Sequence, residues 1–439
     1  MNAGADLPAV SLPPPALKSR LSGMMFLQYA IWGAWLPLLW PFLAKVREFS
    51  GSQIGNIFAI GAVGSIIAPF IAGQIADRYF ASERFLGVSH LLGAVLVWQL
   101  ASIESYQGFL LFSLLYSVIY SPTLSLTNSL AFHHLTDRDR DFGKVRVWGT
   151  VGWIVVGIGI GQWLLRHHTP EGASAAEALV AQRAGMADAF KLSAVLGGLL
   201  GVYCFTLPHT PPARSAKQNA TLEAMGEIRK QPLVTLFLLA VPISCIHQFY
   251  FVHTADFLGR FQTGAAETIN AVFGVGGGGL MTIGQMSEIV VLGLIPLVAK
   301  QVPRKALLAT GIVAYGARMA LFAHGEQLGT AAVLLGVALH GLCFGCFIFV
   351  AFMIVDEETT PDVRASAQSL FNLVIIGIGI IVGSKVAGEV AEWAKDEAGA
   401  TDYTRLFSVP MWAALACLVL LLLFYPGGRR QPALSETAP

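Results

Sequence analysis

The sequence predicts an all-α polytopic membrane protein with twelve transmembrane helices in two six-helix bundles. Composition is the first reason. Hydrophobic residues make up 55% of the chain and charged residues 13%, with a mean hydropathy of +0.63, whereas soluble domains carry about 25% charged residues. Segmentation is the second: twelve mostly apolar runs approach the roughly 20 residues a helix needs to cross the hydrocarbon core. The third is a break in the middle. The longest polar stretch within the chain, 208–232, follows the sixth run and leaves six more behind it.

Span one, 22–44, carries a single amide, Gln28, among tryptophans. Spans two, 52–75, and three, 85–103, are separated by a charged turn containing Asp77, Arg78 and Arg84. Span four, 108–134, ends on His133 and His134, neighbours that point apart and make poor joint metal ligands. Span five, 146–165, opens on Arg146 and contains the glycine string 157–161, which lets helices approach closely. Span six, 187–207, stops at Pro208, Pro211 and Pro212, because proline breaks a helix interior. After the polar stretch, in which 221–229 reads as a short surface helix, spans seven to ten occupy 233–257, 279–299, 305–323 and 329–354. Span eleven, 367–391, holds a second glycine string, and span twelve, 406–425, completes the set.

These limits imply a disordered N-terminal tail at 1–20, without the apolar core of a cleavable signal peptide. They then imply an N-terminal bundle at 21–207, a cytoplasmic central loop at 208–232, a C-terminal bundle at 233–425 and a C-terminal tail at 426–439. Lys and Arg set the orientation. With the N-terminus inside, the inside segments carry eighteen of them and the outside segments seven, so both termini are expected in the cytoplasm. Lys191, Arg318 and Lys385 fall within spans and need partners or room to reach the interface. The net charge of +1 gives no sign of nucleic acid. All five cysteines lie in apolar spans, and Cys343-x-x-Cys346 has no second ligand pair, so neither disulfides nor a metal nor redox chemistry is expected. Protease and hydrolase motifs are absent from the sequence, and the glycine strings lack the preceding strand of a dinucleotide site. No catalytic residue and no cofactor is expected.

Function is concentrated in polar residues at membrane depth. Glu288 is the most informative, since a carboxylate there costs several kcal/mol unless it faces a partner or a wet cavity. Gln285, three residues earlier, shares its face. In span five Arg146, Thr150 and Trp153 fall on one face, offering donors, a hydroxyl and an aromatic plate. Span seven contributes Gln248 beside His247, span ten His340 and Phe344 on one face, and span one Gln28 and Trp32. Taken alone, each position also fits a purely structural role: an interfacial anchor, a helix-contact histidine, a packed aromatic. Glu288 and His340 are the candidates for carrying a proton, the imidazole because it titrates near neutral pH by default.

Six and six spans with a basic central loop resemble the major facilitator superfamily. The loop string 73-GQIADRYFASER-84 is similar to that superfamily's G-x-x-x-D-[RK]-x-G signature through Gly73, Asp77 and Arg78, with Phe80 in place of the second glycine. Asp77 and Arg78 are candidates for a conformational latch. Within the superfamily the chain resembles the nucleoside:proton symporters, the bacterial nucleoside permeases, through 26-FLQYAIWGAWL-36, 121-SPTLSLTNS-129, 146-RVWGTVGW-153, 285-QMSE-288, 317-ARMALFAHG-325 and 361-PDVRASAQSLF-371. The resemblance implies nucleoside contacts from Arg146, Thr150, Trp153, Gln248, Gln285, Glu288, His340 and Phe344. Three positions depart from the family pattern. Phe251 replaces an asparagine, His340 a tyrosine, and Gly345 the acid associated with proton coupling. The implied function is import of nucleosides across the bacterial cytoplasmic membrane by alternating access, with a proton as coupling ion and a monomer as the working unit. The alternative is a uniporter or symporter of a sugar or another ring-bearing polar metabolite. A receptor that moves nothing would need a soluble output domain, and the loops here are short.

Overall fold

The computed structural model describes residues 14–71, 80–136, 138–211, 225–262, 264–275, 279–299, 301–360 and 364–427. Asp77 and Arg78 lie outside them, as do most of the tails and of the central loop. Nine helices among the described residues are long and apolar enough to cross a membrane, and Gly51–Ile67 and Thr282–Ile295 are shorter apolar helices. Ser82–Leu100, more polar, is the remaining span. Each expected span coincides with one of these helices over its described residues, while 72–75 of span two lie outside them. Large apolar side chains such as Leu92, Val95, Leu238, Val290 and Leu423 are exposed on the outer surface of the bundle, as expected where lipid is the solvent.

Span one runs over Pro14–Trp35 and continues through Leu36–Leu38 into Leu39–Lys45. It begins before residue 21, within the expected tail. Proline suits a first helical turn, where its missing N–H is not needed, and Lys18 is held by buried Asp141 at 2.7 Å. Besides the single turn Gly325–Leu328, two further helices were not anticipated. Ala175–Gly185, between spans five and six, starts with a capping box in which Ser174 and Glu177 satisfy each other's backbone N–H groups. Ala265–Phe273 precedes span eight.

Within spans one to six, span one packs along five (Arg138–His167) and six (Ala187–Cys204), two (Gly51–Ile71) along four (Tyr106–His134), and three along four and six. In the second half, span seven (Leu233–Leu258) packs on eleven and twelve (Tyr403–Phe424), nine (Arg304–Ala323) on twelve, and eight (Thr282–Val298) on ten. Spans ten and eleven are each interrupted by a π-helical stretch, Phe344–Phe349 and Leu373–Gly379. Such stretches inside a helix are frequent at functional sites.

The halves meet where span two crosses eleven (ending in Ile380–Trp393) and five crosses eight. At the end remote from the termini the contact is close. Val275 N–H donates to Gly161 O at 3.1 Å, Gln162 Nε2 donates to the carbonyls of Ala271 and Val272, and Gly51 N–H donates to Glu392. Arg183 Nη2 reaches Asp256 Oδ1 at 3.1 Å, and Tyr403 Oη donates to Asp256 Oδ2 at 2.8 Å. Trp40 packs edge-on against His253. This end is sealed. Asp256→Asn removes the ionic part of the seal. A cysteine placed at Gln162 is then expected to react severalfold faster with a polar maleimide, and unchanged labelling would exclude Asp256 from the seal.

Candidate functional site

Spans seven to ten converge on His340, which begins the short helical segment His340–Cys343 after a break in span ten. His340 is buried, and its Nε2 faces Glu288 Oε2 at 3.4 Å. The opposite ring nitrogen, Nδ1, lies 2.9 Å from Arg318 Nη2. Tyr250 stacks on the imidazole with ring centres 4.6 Å apart, and His247 stacks at 5.5 Å. Tyr315 Oη bonds His247 Nδ1 at 2.7 Å. Gly284 lets Tyr250 and His340 approach span eight, since a Cβ there would meet Tyr250 Oη at 2.7 Å.

Aromatic rings extend this cluster toward the other half. Phe344 lies 6.4 Å from His247, and Phe251 lies 5.1 Å from His247 and 6.5 Å from Trp153 of span five. Arg146 places its guanidinium 3.9 Å above the Tyr29 ring, a cation–π contact that holds the side chain. It stands within electrostatic range of Glu288 across the two halves. Thr150 and Trp153 are half-buried on the same helix.

The expected residues therefore divide. Glu288, His340 and Phe344 gather on one side, and Arg146 and Trp153 approach from the other. Gln248 and Gln285 are buried on spans seven and eight, Gln248 against Gly383 of span eleven. Gln28 and Trp32 turn into the first half instead. Gln28 Nε2 donates to Thr123 Oγ1 at 2.9 Å, and Trp32 packs on Tyr120. Gln28 Oε1 is buried without a hydrogen-bond partner among the described residues. Sequence reasoning passed over Arg318, Tyr250 and Tyr315 as site residues. Arg318 did carry a signal, as a cation at membrane depth, but nothing along the chain named its partner. Among the described residues no group of His, Cys, Asp and Glu is placed to hold a metal ion.

Residues 16–429 match the nucleoside H+ symporter family. The chain belongs to the nucleoside H+ symporter family. YegT of Escherichia coli (strain K12) is 32% identical over 85% of this chain and 84% of its own length. The nucleoside permease NupG of the same organism is 27% identical over 90% of this chain and 92% of its own. The crystal structure of the nucleoside transporter NupG superposes with a TM-score of 0.77 at 25% identity, covering 92% of this chain and 98% of that one. A bacterial homolog of the lysosomal transporter Spinster, in an inward-facing conformation, reaches a TM-score of 0.66 at 15% identity and shows the fold alone. This family member is a multi-pass membrane transporter with the major facilitator fold.

One departure from the family pattern is built into the packing. At Gly345 a Cβ would meet Val291 Cγ1 of span eight at 2.6 Å. Any residue larger than glycine there requires Val291 to shift, and Glu288 is the carboxylate that faces His340.

Proposed function

We propose that the chain imports a nucleoside together with a proton across the cytoplasmic membrane, both termini facing the cytoplasm. The family supplies the class of substrate and the coupling ion. The observation that carries the site is the pairing of Glu288 with His340 at the junction of spans eight and ten, with Arg146 of the opposite half within electrostatic range. Alternating access in this fold rocks one half against the other about a midplane site. A ligand held between Arg146, Thr150 and Trp153 on one side and Gln248, Gln285, Glu288, His340 and Phe344 on the other senses both halves. Its base stacks on the aromatic plates, and its ribose hydroxyls and ring polar atoms satisfy the amides, the carboxylate and the guanidinium. An analogue lacking those groups leaves buried polar atoms unpaired, which is costly. The working unit is a monomer.

A thermal-shift panel on purified protein tests this reading. Nucleosides are expected to stabilise it, while free bases and free sugars do so weakly. Equal stabilisation by sugars would favour the rival sugar-transporter reading. Arg146→Ala and Gln285→Ala are each expected to cut nucleoside uptake by about tenfold or more with expression intact, the loss of a charged or amide contact being worth about 1.5–3 kcal/mol. Normal uptake in both variants would remove these residues from the site.

A further inference from the structure

Arg318 sits in the second half of span nine, five residues before its end, with no solvent exposure. A guanidinium keeps its charge in proteins, so this is a permanent cation in the interior of the bundle. Nη2 bonds His340 Nδ1, while Nε and Nη1 have no hydrogen-bond partner among the described residues. The Tyr250 ring covers the guanidinium at 4.2 Å and the Tyr315 ring at 5.7 Å, which eases its burial without neutralising it.

The contact with His340 decides a tautomer. Guanidinium nitrogens only donate, so Nδ1 must present its lone pair. A neutral imidazole accepting at Nδ1 carries its hydrogen on Nε2, and Nε2 is the atom that faces Glu288. Arg318, His340 and Glu288 thus form a directed chain across spans nine, ten and eight: cation, neutral ring, carboxylate. The other ionisable neighbours are His247 and Tyr250 from span seven, Tyr315 from span nine and Cys343 from span ten, with Arg146 approaching from span five. His247 Nδ1 is engaged by Tyr315.

We propose that Arg318 is the positioning residue for the coupling proton: by holding His340 in the tautomer whose Nε2–H faces Glu288, it leaves Glu288 as the group that takes up and releases that proton. The inference rests on the nucleoside–proton reading above. The step is a simple one. An O–H bond forms on the Glu288 carboxylate with a proton from water on one side of the membrane, and the same bond breaks to water on the other. His340 keeps its hydrogen throughout.

The test separates proton-driven work from substrate handling in proteoliposomes. For Arg318→Gln, accumulation of labelled nucleoside under an imposed pH gradient is expected to fall by about tenfold or more, while nucleoside counterflow stays within about threefold of the parent. Arg318→Lys, which keeps the charge but not the planar fork, is expected to restore accumulation in part. His340→Gln keeps an N–H donor and cannot titrate, so whatever it loses in nucleoside contact it is expected to lose equally in counterflow and in accumulation, keeping the parent's ratio of the two. Parent-like accumulation by Arg318→Gln, or equal loss in both assays from folded protein, would overturn the assignment. If Arg318→Gln does not fold, loss of accumulation in His340→Gln with counterflow intact would overturn it by making the imidazole itself the carrier. Absence of nucleoside uptake by the parent chain would defeat the transport reading, and this assignment with it.

Discussion

Glu288→Gln is expected to bind nucleoside and exchange it across the membrane yet fail to concentrate it. Glutamine keeps the shape of the side chain and an oxygen that can accept from His340. It removes the negative charge and the capacity to hold a transferable proton. In the structure that charge lies 3.4 Å from His340 Nε2, at the end of the chain that begins with buried Arg318. Removing the carboxylate leaves the buried Arg318 guanidinium without the opposite charge at the far end of that chain, so a lower melting temperature is expected as well. Gradient-driven accumulation should fall by about tenfold or more beyond any loss of counterflow, which persists because the glutamine amide still offers polar atoms to the ligand. Accumulation equal to the parent's would place the coupling proton elsewhere.

Gly388→Val is expected to abolish uptake for a different reason. Spans two and eleven cross at the sealed end through glycines. A Cβ at Gly388 would stand 2.5 Å from Gly51 O and 3.0 Å from Gly55 Cα. Neither is the tip of a flexible side chain, so the two helices must separate to admit a valine. The contacts that hold each half together lie on other faces: span one on five, three on six, seven on eleven, nine on twelve. The variant should therefore fold and insert but leave this end unsealed, with uptake down by about tenfold or more. Gly198→Ala is the control, because no atom lies within 4 Å of a Cβ there. Normal uptake by Gly388→Val would show that the crossing is not needed for transport.

Much of the architecture was legible because membrane helices announce themselves by length and composition. The six-plus-six division, the stripe of Arg146, Thr150 and Trp153, and the weight given to Glu288 rest on local spacing and on the cost of burying a charge. What escaped depends on neighbours distant in sequence. Glu288, Arg318 and His340 come from three different spans, and no periodicity along one helix can reveal that they touch. The same limit applies to Gln28: its face is polar whether it looks toward a ligand or toward Thr123, and in the structure its amide donates to Thr123. The helix Ala175–Gly185 was overlooked because it is too short for a hydropathy window, although its Ser174–Glu177 capping signal stands in the sequence. The π-helical stretches around Phe344 and Leu373 arise from helix packing and leave no clear trace in composition. Asp77 and Arg78, expected to act as a latch, lie outside the described residues.

The most direct measurement is uptake of a labelled nucleoside by proteoliposomes containing the purified chain, with and without an inward proton gradient. Accumulation above equilibrium that collapses with a protonophore, and that unlabelled nucleosides suppress far better than free sugars, is the expected result. Uptake that merely equilibrates whatever the gradient, or that sugars suppress as well as nucleosides do, would contradict it.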